Sequence, residues 1–171
     1  MTGTTMMIGT TIKTRIISGA AFGLMMAGNI WYSSQALAAA EDAKIVSLTQ
    51  IGCQFLESEN GINHGYSPKS ADDCKKINAA SGGDRLKAAK PLVLKPGKYV
   101  FRVTNKNVPY QLGFWLREKG YSSLTPWKQS VSGGGLFKGK CRDYEITLKA
   151  GQEYVYSCPL NPTPDYRIVV K

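Results

Sequence analysis

Thiols and imidazoles are the groups that most often carry chemistry, and this chain has four cysteines, Cys53, Cys74, Cys141 and Cys158, and a single histidine, His64. One histidine excludes a two-histidine metal centre and a histidine-rich proton relay. No Cys-X-X-Cys pair occurs, so neither a thioredoxin-type redox site nor a zinc ribbon is supported. Carboxylates surround the imidazole: Glu57 and Glu59 precede it, and Asp72 and Asp73 follow. Carboxylate and imidazole together suit iron, zinc or copper, so Glu57, Glu59, His64, Asp72 and Asp73 form the candidate metal-ligating set. The plainer expectation for the same residues is a solvated histidine and a helix start, where adjacent aspartates are favoured by the helix dipole. Asp72 and Asp73 are neighbours in sequence and make a poor acid/base pair for hydrolysis. Ser132-Gly133-Gly134-Gly135 lacks the Lys-Ser/Thr of a phosphate loop and is expected to be a flexible connection. No Ser/His/Asp arrangement can be assembled. The reading is therefore of a non-enzymatic protein with no cofactor.

The N-terminal segment reads as an address. Lys13 and Arg15 precede an apolar stretch from Ile16 to Gly28, followed by Ala36-Leu37-Ala38. That is the order of an export signal: a positive region, an apolar region, and a small-X-small cleavage site. The expectation is a signal peptide over 1–38 and a mature protein over 39–171, periplasmic or secreted, with no membrane span once the signal is removed. Losing Lys13 and Arg15 takes the basic count from 22 to 20 against 12 acidic residues, a formal charge of +8. Such a basic protein is steered toward anionic partners. The basic residues are scattered, and no nucleic-acid-binding signature appears, so an acidic protein surface is the expected partner and nucleic acid is not.

An even cysteine count in an exported chain points to two disulfides. A turn at Lys149-Ala150-Gly151-Gln152 would bring the regions of Cys141 and Cys158 together, leaving Cys53 to pair with Cys74 across a loop.

The elements that would position these groups are short strands. Residues 44–56 read as an edge or half-buried strand. Residues 57–90 read as an insertion: turn-rich to Pro68, then a short helix over Ser70–Asn78, with Ser70 as cap and Asp73 three residues on, ended at Ser81-Gly82-Gly83-Asp84. From Pro91 the pattern is strand, Lys95-Pro96-Gly97 turn, strand, with Tyr99, Phe101 and Val103 facing one way and Val100, Arg102 and Thr104 the other. Further strands are expected at 110–117, 144–148, 153–158 and 167–170, with a polar connection over 120–135. Short strands with Gly/Pro turns predict an all-β sandwich around one core.

Leu94-Lys95-Pro96-Gly97-Lys98-Tyr99-Val100-Phe101-Arg102-Val103-Thr104-Asn105 resembles the strand, Lys-Pro-Gly turn, strand, Thr-Asn run of cupredoxins. Leu148 to Pro159 resembles the cupredoxin strand that delivers the copper-ligating cysteine, and 165–170 its closing strand. The sequence is most similar to the copper-poor cupredoxin domain of periplasmic iron-uptake lipoproteins. The resemblance covers 44–56 and 91–171 and implies a cupredoxin-like Greek-key β-sandwich, with 57–90 as a disulfide-tied insertion. It places a first copper histidine near Pro109-Tyr110, the copper cysteine at Cys158, and a second histidine and axial methionine in 159–164. The chain has neither histidine there and no methionine, so a blue-copper electron-transfer site is not expected. The resemblance also implies a different pairing, Cys53–Cys158 with Cys74–Cys141, and the balance leans to it.

Tyr99, Tyr144, Tyr154 and Tyr156 lie on strand patterns and are expected in the core. Tyr110, Trp115, Tyr121 and Trp127 flank loops and form the candidate partner-binding set. The function expected is an exported interaction or accessory module without a blue-copper site; the alternative is a periplasmic metal-binding or metal-handling protein for iron or copper.

Overall fold

Tyr99, Phe101 and Val103 are buried, and Lys98 and Arg102 exposed, on the strand that anchors one sheet of the structure. The computed structural model describes residues 42–171; the signal segment expected at 1–38 lies outside them. The described residues form β1 (Lys44–Ile51), β2 (Gln54–Phe55), a 3-10 turn (Glu57–Glu59), α1 (Ala71–Ala88), β3 (Leu92–Leu94), β4 (Gly97–Asn105), β5 (Leu112–Glu118), β6 (Ser130–Leu136), β7 (Cys141–Leu148), β8 (Glu153–Ser157) and β9 (Tyr166–Val170). A four-stranded sheet runs β2-β1-β4-β7, and a five-stranded sheet runs β3-β9-β8-β5-β6. The β1/β4 and β3/β9 pairs are parallel, and the remaining pairs antiparallel. This is an all-β domain of two packed sheets with a disulfide.

Rings from both sheets fill the space between them. Phe114 lies 4.9 Å from Tyr144, and Phe55 stands edge-on to Tyr156 at 5.4 Å and to Tyr166 at 5.8 Å, centroid to centroid. Burying each such ring contributes about 2–3 kcal/mol before packing geometry is counted.

Three departures from the sequence reading concern the strands and the helix. First, the turn at Lys149–Gln152 does not close a hairpin. β7 pairs only with β4 in the smaller sheet, while β8 lies between β5 and β9 in the larger one. The turn crosses from one sheet to the other, because Leu148 and Tyr154 bury themselves in the core from opposite sheets.

Second, the expected flexible connection at Ser132–Gly135 belongs to β6. Its glycines serve close approach: a Cβ on Gly133 would stand 3.1 Å from Cε1 of the Tyr144 ring.

Third, the helix of the 57–90 segment does not stop at Gly82-Gly83 but runs 18 residues, to Ala88. Its start is as expected, with the Asp73 carboxylate accepting from the Ser70 and Lys69 amides at 3.0 and 2.8 Å. Two glycines cost a helix about 1 kcal/mol each. Packing outweighs that cost, because Gly82 is buried, where a Cβ would meet Asn78 Cβ at 3.3 Å and Pro164 Cγ at 3.5 Å, and Leu86 and Ala89 rest against the core.

Candidate functional site

Four segments meet at one end of the sandwich: the β1–β2 turn with Cys53, the first turn of α1 with Cys74, the β4–β5 loop with Tyr110, and the β8–β9 loop with Cys158 and Asn161. The β4–β5 loop is held by buried Asn105, whose Nδ2 donates to the carbonyls of Val108 and Leu136, both at 3.1 Å, and whose Oδ1 accepts from the Val108 amide at 2.9 Å. The β1–β2 turn needs Gly52, since a Cβ there would fall 2.3 Å from the Tyr66 carbonyl oxygen. Cys53 takes a left-handed φ of 62°, which costs a non-glycine residue roughly 1–2 kcal/mol.

Asn161, fully buried, joins these segments. Its Oδ1 accepts from the Cys53 amide at 3.2 Å and from the Tyr110 hydroxyl at 3.0 Å. Its Nδ2 donates to the Ile51 carbonyl at 3.1 Å, and its own amide donates to Cys158 Sγ at 3.2 Å. Cys158 Sγ also accepts from the Gly113 amide at 3.4 Å. Cys74 Sγ touches Asn161 Oδ1 at 2.9 Å and lies 3.6 Å from the Tyr110 hydroxyl oxygen. The Tyr110 hydroxyl is also 3.2 Å from the Ser70 carbonyl, which links the β4–β5 loop to the helix start.

Burial pushes the Cys158 thiol pKa up, and the amides of Gly113, Asn161 and Leu160 oppose that only in part. At neutral pH the group is a thiol and a poor nucleophile. Burial also pushes Tyr110 up to about 12, with Cys158, once ionised at alkaline pH, and the Asp73 carboxylate adding to the effect.

The disulfide is Cys53–Cys74, and Cys141 and Cys158 are free. This corrects the expected Cys53–Cys158 and Cys74–Cys141 pairs, and also the Cys141–Cys158 half of the other scheme. Cys141 opens β7 opposite Thr104 in the smaller sheet, and Cys158 follows β8 in the larger one, so the two end on different sheets. Cys74, in the first turn of α1, bonds Cys53 in the β1–β2 turn, and Cys141 is exposed and Cys158 buried.

The acidic set disperses. Glu57 Oε2 accepts from the Thr49 amide at 2.6 Å, Asp72 pairs with Lys75 at 2.7 Å, and Asp73 caps α1. Only Glu59 and His64 meet, with His64 Nε2 2.7 Å from Glu59 Oε2. Glu59 is buried, accepts from the Tyr166 hydroxyl and from Gln54 Nε2, and lies 3.6 Å from Arg85 Nη1. Its carboxylate ties the 3-10 turn to α1 and β9. His64 is not simply solvated, because it holds this carboxylate and stacks on Tyr66. Among the described residues, no three His, Cys, Asp or Glu side chains form a group that could hold a metal ion.

The aromatic set also divides. Trp115 and Tyr121 are in edge contact at 6.3 Å, and the Arg117 guanidinium stacks on Trp115 at 3.9 Å. Trp127 is 72% exposed, on the β5–β6 connection with exposed Leu124. Tyr110 belongs instead to the Asn161 cluster.

Asn161 and Asn105 carry the most hydrogen bonds at this end, and sequence reasoning singled out neither. The only signal for Asn161 is its place three residues after Cys158, in a loop of prolines. The chain matches no protein-family model, and no curated protein matches its sequence. Among the described residues no helix is long and apolar enough to cross a membrane.

Proposed function

We propose that this chain is an exported cupredoxin-like Greek-key module that carries no blue-copper centre and works, without catalysis, by docking a protein partner with an acidic surface in the periplasm or outside the cell. The two-sheet order, the Lys95-Pro96-Gly97 turn between β3 and β4, and Cys158 at the end of the penultimate strand support the cupredoxin-like reading. The observation that carries the absence of blue copper is the bond between Tyr110 and Asn161. These residues stand in the two loops where the resemblance puts imidazoles, and they are spent on each other and on the Cys53 amide. A blue-copper ion needs imidazole nitrogen beside the thiolate, and a protonated phenol and a carboxamide do not supply it.

Docking is supported by Trp127 and Leu124, which stand out from the fold, and by the neighbouring Trp115–Arg117 stack, since aromatic and arginine side chains commonly anchor interfaces. Metal handling by the acidic segment has less support, because Glu57, Asp72 and Asp73 are each engaged elsewhere.

The experiment is capture from native envelope extract with tagged protein, comparing wild type, Trp127→Ala and His64→Ala, with and without chelator. Docking is upheld if a partner is retained by wild type and His64→Ala in chelator, is lost with Trp127→Ala, and weakens above physiological salt. It is overturned if no variant-sensitive partner is recovered, and metal handling replaces it if the protein also binds iron or copper below micromolar levels in a His64-dependent way.

A further inference from the structure

We propose that the turn between β6 and β7, with Lys106 beside it, docks the protein on the headgroups of an anionic phospholipid membrane. β6 ends at Leu136 and β7 begins at Cys141. The residues between them, Phe137-Lys138-Gly139-Lys140, make a tight turn closed by the Lys140 amide, which donates to the Phe137 carbonyl at 2.9 Å. Its third position takes a φ of 75°, which glycine adopts without strain. The Gly139 amide donates to the Asn105 carbonyl at 2.7 Å, and the Asn105 amide to the Lys140 carbonyl at 3.0 Å. These bonds hold the turn against the end of β4 and set Lys106 next to it.

The charge of this surface is uncompensated. Lys106, Lys138 and Lys140 are exposed, and among the described residues none has a carboxylate partner. Asp143, the nearest carboxylate along the chain from Lys140, is taken by the Arg102 guanidinium in two bonds of 2.9 and 2.8 Å. An apolar ring stands among these cations: Phe137 is 57% exposed. The tip projects into open space, since a Cβ on Gly139 would meet nothing within 4 Å.

The kinds of residue favour lipid over an acidic protein. Protein interfaces are poor in lysine and rich in arginine, whose planar fork matches a carboxylate. The cations here are lysines, compact point charges that meet phosphate without a fixed geometry. The arginine that follows the turn, Arg142, is engaged with the Gly134 carbonyl. A ring flanked by ammonium groups on a convex turn can enter the boundary of headgroup and acyl chain while the lysines stay with the phosphates. Phe137 follows β6 and Trp127 precedes it, so this surface lies at the other end of that strand from the protein-docking residues. Its failure would leave that reading untouched.

The test is flotation of the full chain with vesicles of phosphatidylglycerol and phosphatidylcholine, against vesicles of phosphatidylcholine alone, at physiological salt. All variants keep the same N-terminal segment, so differences between them report the substituted position. Binding to the anionic vesicles should weaken about fivefold in each of Lys106→Gln, Lys138→Gln and Lys140→Gln, the effect of one lysine charge near such a surface. It should weaken further as salt rises, and stay unchanged in Lys75→Gln and Trp127→Ala. The fluorescence gained in Phe137→Trp should shift to the blue on anionic vesicles only. Binding indifferent to the three lysines, an equal loss in Lys75→Gln, loss in Trp127→Ala, or no blue shift overturns the proposal. So does binding of poly-glutamate through the same lysines with none to anionic vesicles, which would make the turn a contact for an acidic protein.

Discussion

Tyr110 and Asn161, 51 residues apart in the chain, are joined by a 3.0 Å hydrogen bond from the phenol to the side-chain carbonyl. The same carbonyl oxygen accepts from the Cys53 amide and touches Cys74 Sγ, so one buried atom links both sheets to the helix. The stability and the reactivity of this end of the molecule therefore depend on a single asparagine.

Asn161→Ala removes the partner of two buried groups at once, the Cys53 amide and the Ile51 carbonyl, and one of two acceptors of the half-buried Tyr110 hydroxyl. Each orphaned group costs about 1–3 kcal/mol when nothing replaces its partner. The expected loss is about 3 kcal/mol, read as a lower urea midpoint at unchanged slope. A loss under about 0.5 kcal/mol would show that water or a neighbour substitutes for the side chain.

Thiol counting tests the pairing. Folded protein should offer one thiol, Cys141, to rapid alkylation, with Cys158 reacting only on unfolding and Cys53–Cys74 found as a linked peptide pair. Serine at Cys53 or Cys74 should destabilise by about 3 kcal/mol, the usual effect of opening a loop of this size. Cys141→Ser should change stability by less than about 0.5 kcal/mol, as expected at an exposed site.

Glu59 is a buried charge whose partners are a buried arginine, an imidazole and a phenol. Glu59→Gln preserves shape but leaves Arg85 without a counter-charge, and breaking a buried pair in this way costs about 3–5 kcal/mol. His64→Ala should cost less, because its ring is part-exposed. The urea midpoints of the two variants give the comparison, and a milder effect for Glu59→Gln than for His64→Ala would contradict the arrangement. If the pair is structural, a chelator should leave the wild-type melting temperature unchanged.

Alkaline pH should unfold the protein from above pH 10. Burial raises Tyr110 to about 12 and pushes the Tyr156 and Tyr166 hydroxyls upward as well. The folded state then binds more protons than the unfolded one above the ordinary tyrosine pKa of about 10, so stability is full below that pH and falls as pH rises toward the folded values. Tyr110→Phe should show a shallower decline between pH 10 and 12 in urea titrations, although it begins from lower stability. An identical slope would mean that Tyr110 ionises normally.

The strands from 92 onward were legible because inward and outward residues alternate, as in β4, where period two leaves one reading. β6 was not, since Ser130-Val131-Ser132-Gly133-Gly134-Gly135 has the composition of a loop; what makes it a strand is the Tyr144 ring, which needs glycine beneath it. The helix start was legible from Ser70 and Asp73, but its end was not, because Gly82 is kept helical by contact with Pro164, far away in sequence. The Cys53–Cys74 bond was one of two pairings the sequence left open, although the balance leaned to the other. The placing of β7 and β8 in different sheets is what parts Cys141 from Cys158. Residues of the right type for metal binding were visible, but their distribution among a cap, an ion pair and a buried turn was not.

The two parallel pairings bear on when this chain can acquire its structure. β1 aligns with β4 from Lys44 opposite Tyr99, and β3 aligns with β9 from Leu92 opposite Ile168. Neither can grow from a tight turn, and closing loops of that length must come before the contacts that reward it. Folding is accordingly expected on the slower scale of β-sandwiches, roughly milliseconds to seconds. β9 lies inside its sheet, between β3 and β8, so that sheet cannot close until the last strand is free. Until Tyr166–Val170 settle there, β3 has no neighbour in the larger sheet and the wall of the domain stands open on that side.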